Sequence, residues 1–349
     1  MRRAPIIAAA VVAALLSAAP ASAASASKDT VTISGRAYAF NHMDTFIAGA
    51  TIRVREFPKL SATTDATGDY ALEVPDERNV TPYIEPPEGY NQIDLQTLHP
   101  RGKDIENANF QTPADFEYNA LAGILSVPIG ADGRPEECVI VTTASARNVR
   151  GVSYETFEER TPHGVPGATA VGFPELPPAT YFNEFVIPDA SKTETSEDGG
   201  IIWTGVPAGT YRIVTTSPTA RFASFLATCE PGRVVNANPP WGAYELTGEE
   251  KPLGASVVAS SLRGAQGHAG EGVFAKFESG EAVSMSAVVR LDGERIGRVR
   301  DVDLPARTAK KKIRVDRASG SGRAKLTVKL RDAAGDVVKQ TRSVRLSPR

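Results

Sequence analysis

The sequence predicts an all-β protein of tandem antiparallel β-sandwich domains with a short connecting helix. Two observations carry this. The first is an internal repeat: Ile47–Pro75 (IAGATIRVREFPKLSATTDATGDYALEVP) returns in expanded form as Gly164–Tyr211. In both, Gly-Ala-Thr opens a strand-like run, an acidic Ser/Thr turn with Gly68 or Gly199 follows, and a second run ends in Val-Pro. Self-similarity of this kind marks repeated structural units. The second is spacing: short β-branched runs alternate apolar and polar residues and are separated by polar turns, the pattern of antiparallel sandwiches.

The chain opens with Met-Arg-Arg, an apolar run over 4–19, then Pro20 and two small-residue motifs, Ala21-Ser22-Ala23 and Ala24-Ser25-Ala26. A basic start, an apolar core and an A-x-A site predict a secretory signal peptide over 1–26. The apolar run is shorter than the roughly 20 residues of a spanning helix. The expected product is secreted, extracellular and not membrane-inserted. In an exported chain the only two cysteines, Cys138 and Cys229, read as one disulfide. Closing a loop of about 90 residues is worth about 4–5 kcal/mol by chain entropy.

Within residues 28–113, Val31–Tyr38 alternates and reads as a strand. Ala50–Phe57 places Ile52 and Val54 on one face and Arg53 and Arg55 on the other. Asp65–Asp69 is a turn, in which Gly68 supplies positive φ and Asp65 bonds its own backbone. Tyr70–Val74 is the return strand. Here the motifs resemble the carboxypeptidase regulatory-like domain, whose pattern combines Gly-Ala with a later turn Gly and Tyr: Gly49-Ala50, Gly68 and Tyr70 stand at those positions. That family is similar in fold to transthyretin and to starch-binding-like modules. The resemblance spans about 50 residues, implies a sandwich and carries no catalytic residue. Residues 79–112, with Tyr83, Tyr90 and Phe110, read as a final strand and long loops, their aromatics either plugging a sheet edge or meeting a sugar.

Residues 114–246 form the second expected unit. Asp115–Leu125 has approximate helical spacing at Phe116, Leu121, Ile124 and Leu125, with Asp115 as candidate cap. Cys138–Thr143 and Thr169–Phe173 read as strands. Gly167-Ala168, Gly199 and Val206-Pro207-Ala208-Gly209-Thr210-Tyr211 continue the same resemblance, interrupted by an insertion over 174–188 that holds Tyr181, Phe182 and Phe185. A long loop in a small sandwich is a candidate binding loop, or a hairpin that covers an edge. Pro239-Pro240-Trp241-Gly242 fixes an extended backbone. It presents Trp241, with Tyr244, either to a ligand or as a latch under a neighbouring sandwich. The candidate ligand-binding residues are therefore Tyr181, Phe182, Trp241 and Tyr244.

Residues 247–272, rich in Gly, Ser and Ala, read as a linker. From 273 to 349, alternating runs at Val283–Leu291, Lys312–Val315, Lys325–Leu330 and Val337–Leu346 predict a third sandwich with a turn at 332–336. It resembles the fibronectin-like C-terminal domains of secreted bacterial proteins, a resemblance that carries no site. Charge divides the chain. Residues 28–249 carry 16 Lys and Arg against 30 Asp and Glu, and residues 250–349 carry 21 against 11. The basic surface of Arg295, Arg298, Arg300 and Lys310–Lys312 suits an acidic polymer or simple solvation. Without interleaved aromatics it does not suit nucleic acid.

No nucleophile elbow, zincin motif, phosphate loop or dinucleotide fingerprint occurs. The scattered histidines, His163 near Glu158 and Glu159 among them, imply no metal centre, and no cofactor is implied. The expected function is non-catalytic binding of an extracellular glycan or cell-wall polymer. The alternatives are a structural or adhesive spacer with a protein partner, and a hydrolase centred on His163.

Overall fold

A computed structural model describes residues 30–160, 162–237, 239–316 and 318–348. The leader expected at 1–26 lies outside them. The described chain is all-β, with three successive strand-built units and two short α-helices.

The first unit contains β1 (Thr30–Ala39), β2 (His42–Phe46), β3 (Thr51–Val54), β4 (Ser61–Thr63), β5 (Asp69–Pro75), β6 (Pro82–Glu85) and β7 (Phe110–Thr112). One sheet runs β2-β1-β5 with β7 parallel to β1, and the facing sheet runs β4-β3-β6. The alternation holds: Ile52 and Val54 are fully buried, while Arg53 and Arg55 turn outward to Glu85 and Asp94. In the turn before β5, Asp65 Oδ1 accepts from the backbone N–H of Thr67 (2.8 Å) and of Asp69 (3.0 Å). Gly68 has φ +75°, and a Cβ there would stand 2.3 Å from the Ala37 carbonyl oxygen. Tyr83 and Phe110 are buried, so the aromatics of 79–112 plug the sandwich.

In the second unit α1 (Asp115–Ile124) precedes β8 (Cys138–Ser145), α2 (Tyr154–Glu159), β9 (Thr169–Phe173), β10 (Thr180–Phe182) and β11 (Pro188–Asp189). Then follow β12 (Gly200–Val206), β13 (Gly209–Thr216), β14 (Arg221–Phe222), β15 (Phe225–Cys229), β16 (Val234–Ala237) and β17 (Ala243–Leu246). One face is β11-β10-β12-β8 with β16 parallel to β8. The other holds β9, β13, β14, β15 and β17. β8 belongs to both, pairing β12 and then β17. The Cys138–Cys229 disulfide, Cα–Cα 5.6 Å, joins β8 to β15 across the core. The insertion forms the β10–β11 hairpin at the sheet edge. Asp115 is not the helix cap: Ala114 takes that position, and its N–H donates to Glu117 Oε2 at 3.3 Å.

The third unit comprises β18 (Ser260–His268), β19 (Gly272–Ser279), β20 (Val283–Leu291), β21 (Glu294–Leu304), β22 (Ala309–Arg314), β23 (Gly322–Arg331) and β24 (Val337–Ser347). Its sheet runs β21-β20-β23-β24-β18-β19-β22 around one core, and the edge strands meet through a bridge between Gly297 and Val315. Residues 247–272 are not an open linker. β18 lies within them, and Val258 and Ser260 are fully buried. Small side chains there permit close packing rather than freedom.

The units are joined by buried polar groups. Arg212 of β13, 2% exposed, pairs with Glu281 of the third unit through Nε (2.9 Å) and Nη2, and donates from Nη1 to the Ser256 carbonyl (2.6 Å). His99 of the first unit meets Asn79 (2.6 Å) and Ser261 of β18 (3.0 Å). Burial lowers the His99 pKa, which leaves the ring neutral at pH 7.

Candidate functional site

The strands of the second unit explain why a cavity forms where it does. β8 and β12 are apolar on both faces. Ile140, Ile201 and Trp203 point into the core, while Val139, Val141 and Ile202 point to the opposite side. A strand that is apolar on both faces needs cover on both. On the outer side the cover is partial. The α1 segment crosses it and encloses a cavity of about 460 Å³.

Val139, Val141, Thr143 and Ile202 form the floor, with Phe182 of β10 and Val234 of β16 at its sides. Tyr118, Leu121 and Ala122 of α1, with Leu125 at its C-cap, form the roof. The first unit closes one end with Tyr38, Phe40 and Met43, and the β10–β11 turn adds Glu184 and Val186. No residue of α1 is buried. Phe116 (83% exposed) and Ile124 (56%) face solvent, so only Leu121 and Leu125 of its expected apolar positions turn inward.

Polar side chains also line the cavity, among them Asn41, Gln111, Thr143, His163, Asp198 and Asn236. Asn236 of β16, 5% exposed, donates from Nδ2 to the Gln111 carbonyl (3.4 Å), and its Oδ1 has no hydrogen-bond partner among the described residues. Asp198, in the turn before β12, accepts at Oδ2 from the Gly200 N–H (3.0 Å), and burial pushes its pKa up to about 6. That turn requires Gly199, which has φ +78° and whose added Cβ would stand 2.6 Å from Gly164 Cα. His163 donates from Nε2 to the Phe157 carbonyl (3.0 Å), and its ring stacks on Phe157 at 4.3 Å. Burial lowers its pKa. Its position on the cavity wall is that of a packed, neutral ring with one nitrogen already committed.

The four aromatic residues singled out from sequence, for which a binding and a packing role both stood open, are all buried. Tyr181 (6% exposed) is in the sandwich core, and its hydroxyl accepts from the Ala170 N–H at 3.3 Å. Trp241 (9%) packs into the core of the first unit and donates from Nε1 to the Glu106 carbonyl at 2.8 Å, so the latch is what forms. Tyr244 is fully buried, and its hydroxyl accepts from the Leu253 N–H at 2.6 Å. Phe182 (5%) alone lines the cavity. The physical reason is common to all: a large ring gains more from burial than from exposure. The insertion still borders the site, through Phe182, Glu184 and Val186. The missed signal was the unbroken apolar character of Cys138-Val139-Ile140-Val141 and Ile201-Ile202-Trp203, which announces a covered outer face.

Among the described residues no group of three His, Cys, Asp or Glu side chains is placed to hold a metal ion. Among them, too, no helix is long and apolar enough to cross a membrane.

No family model matches the chain, and no curated protein does. Among solved structures it is similar to BcpA, the major pilin subunit of Bacillus cereus, at 10% identity and a TM-score of 0.18, over 60% of this chain and 69% of that one. It is similar to a streptococcal ancillary pilin at 8% identity and a TM-score of 0.19, over 91% of this chain and 98% of that one. A tetra-tandem repeat from the extending region of a large adhesion protein gives 10% identity and a TM-score of 0.22, over 91% and 74%. Likenesses this slight assign neither family nor activity, and the carboxypeptidase regulatory-like motifs stay a resemblance.

Proposed function

We propose that this is a secreted, non-catalytic binding protein of the cell exterior, and that the cavity beneath α1 holds part of its ligand. The observation that carries the reading is the half-covered apolar outer face of β8 and β12, roofed by a helix with no buried residue. Pockets of this size suit small ligands or their side groups. The apolar floor and roof favour an envelope component with an apolar moiety, and Asn41, Gln111, Thr143, Glu197 and Asp198 in the walls offer partners to its polar groups. The disulfide supports an oxidising, extracellular location.

The test is a pull-down of the purified chain on isolated cell envelopes and insoluble polysaccharides at low and high salt, with a Leu121→Arg/Leu125→Arg variant beside it. Leu121 lies on a helix without buried residues and Leu125 is its partly exposed C-cap, so the variant is expected to fold. Binding that survives high salt and disappears in the variant supports the cavity. Salt-resistant binding unchanged in the variant overturns it. Binding lost with salt places the contact instead on the basic face of the third unit, where Arg295, Arg298, Arg300, Lys310 and Lys312 are exposed on β21 and β22.

The second reading, a structural or adhesive spacer, is favoured by the buried Arg212–Glu281 and His99–Ser261 joints, which fix the three units against one another. No binding to any envelope fraction, with a protein partner recovered by crosslinking on intact cells, selects it.

A further inference from the structure

β23 alternates strictly along its length. Ala324, Leu326, Val328 and Leu330 are buried in the core of the third unit, which turns Arg323, Lys325, Lys329 and Arg331 to solvent. At the rise of an antiparallel strand these four cations extend over about 27 Å. The neighbouring strands add to them instead of balancing them. Arg323 stands opposite Arg345 of β24, and Lys329 opposite Lys339. On the other flank Arg290 of β20 stands opposite Lys325, and Arg295 of β21 opposite Arg290. In the row between, Thr327 faces Thr341, hydroxyl to hydroxyl at 3.4 Å. Asp301 and Asp303 lie at the far corner, beside Ser286 and Ser284.

From this ladder we propose that the outer face of β20, β23 and β24 is a second binding surface, separate from the cavity, and that its partner is an acidic polysaccharide laid along β23. Like charges directly opposite on neighbouring strands destabilise a sheet, and a face kept only for solubility intersperses the two signs. Here four such contacts share one face. Among the described residues their cations make no ion pair, and carboxylates of the unit are engaged elsewhere: Glu278 with Arg78 and Arg263, Glu281 with Arg212, Glu271 with Lys312. The first two units do the opposite, where Arg36, Arg53, Arg55 and Arg150 each hold a carboxylate. A line of anionic charge relieves the repulsion that the sheet leaves unrelieved.

The remaining side chains select the kind of polyanion. The outward positions of β20, β23 and β24 hold no aromatic, leucine, isoleucine or methionine residue. Nucleobases therefore lack a stacking platform, and a lipid surface lacks an anchor. The hydroxyls of Thr327, Thr341 and Ser343, set among the cations, suit a polymer that carries hydroxyls beside its acid groups.

The experiment is a binding titration of the full chain with polygalacturonate, a linear glycan with one carboxylate per sugar, at low and high salt. Binding is expected at low salt, weakened about tenfold at high salt. Lys329→Thr/Lys339→Thr repeats the Thr327–Thr341 pair in the adjoining row, so the strands are kept, and it is expected to weaken low-salt binding about tenfold. Lys310→Thr/Lys312→Thr removes the same charge from β22 and is expected to change binding less than about twofold. Equal weakening by both variants reduces the contact to net charge and overturns the face, as does a lack of binding at low salt. Two results overturn the polysaccharide as partner. One is tighter binding of phosphatidylglycerol vesicles or duplex DNA than of polygalacturonate. The other is self-association of the chain at low salt that Lys329→Thr/Lys339→Thr abolishes. The cavity stands or falls separately, on its leucine variant.

Discussion

At Asp198 burial and charge are directly opposed. Its carboxyl is raised to about 6 from an ordinary 3.8 by burial, partly offset by the Gly200 N–H. A raised acid binds its proton more tightly in the folded state. Its contribution to stability is therefore full below pH 3.8 and is lost as pH rises through 6. Two units correspond to about 3 kcal/mol. Asp198→Asn is expected to raise the unfolding free energy by about 1–3 kcal/mol at pH 7.5 and by little at pH 4, measured by urea titration of parent and variant side by side. An equal effect at both pH values contradicts this. Arg212 presents the opposite situation, with both partners buried and mutually satisfied, at 2% and 4% exposure. Glu281→Ala leaves Arg212 with Asp332, 3.8 Å from its Nε, and is expected to cost about 1.5–3 kcal/mol, whereas Arg212→Met strands both buried carboxylates and costs about 3–5 kcal/mol. A loss under 1 kcal/mol for Glu281→Ala, read in the same titration, sinks that account.

Among the elements, α1 is the least supported. Ten residues are too few to hold a helix in water by propensity alone, and this one buries none of them. Its amides are expected to exchange with solvent faster than those of β8 or β12, and to slow when a cavity ligand binds. Hydrogen exchange with and without an isolated envelope fraction that the chain binds reads this directly, and unchanged α1 protection counts against the roof. The helix was legible in the spacing of Leu121 and Leu125. Its orientation was not, because Phe116 and Ile124 match the same period and yet face solvent. β8 shows the converse: its run of Cys138 to Val141 reveals a strand, and only the packing reveals that its outer face is a cavity floor.

At the scale of the whole molecule, the joints decide behaviour. Residues 247–272 look like a linker by composition, but Val258 and Ser260 are buried and Glu281 accepts from the Ala259 N–H at 2.6 Å. Limited proteolysis is expected to spare 255–262 and not to release 273–349 as a separate fragment. Early cleavage there breaks the picture of one locked body. The disulfide closes a separation of 91 residues. Cys138→Ala/Cys229→Ala is expected to lose up to about 4–5 kcal/mol, visible as a lowered urea midpoint.

The sequence by itself determined the all-β class, the repeat with its Gly68 and Gly199 turns, the connecting helix and the cysteine pair. These follow from local rules: side-chain period, positive φ and the presence of just two cysteines in the sequence. The tertiary structure decided which aromatics are exposed, that the third unit is docked rather than tethered, and that Phe182, Asp198 and Asn236 line one cavity. These depend on which surfaces meet across long separations, and a residue's own neighbours in sequence do not encode whether a ring beside Pro240 turns outward or, like Trp241, into the core of another unit.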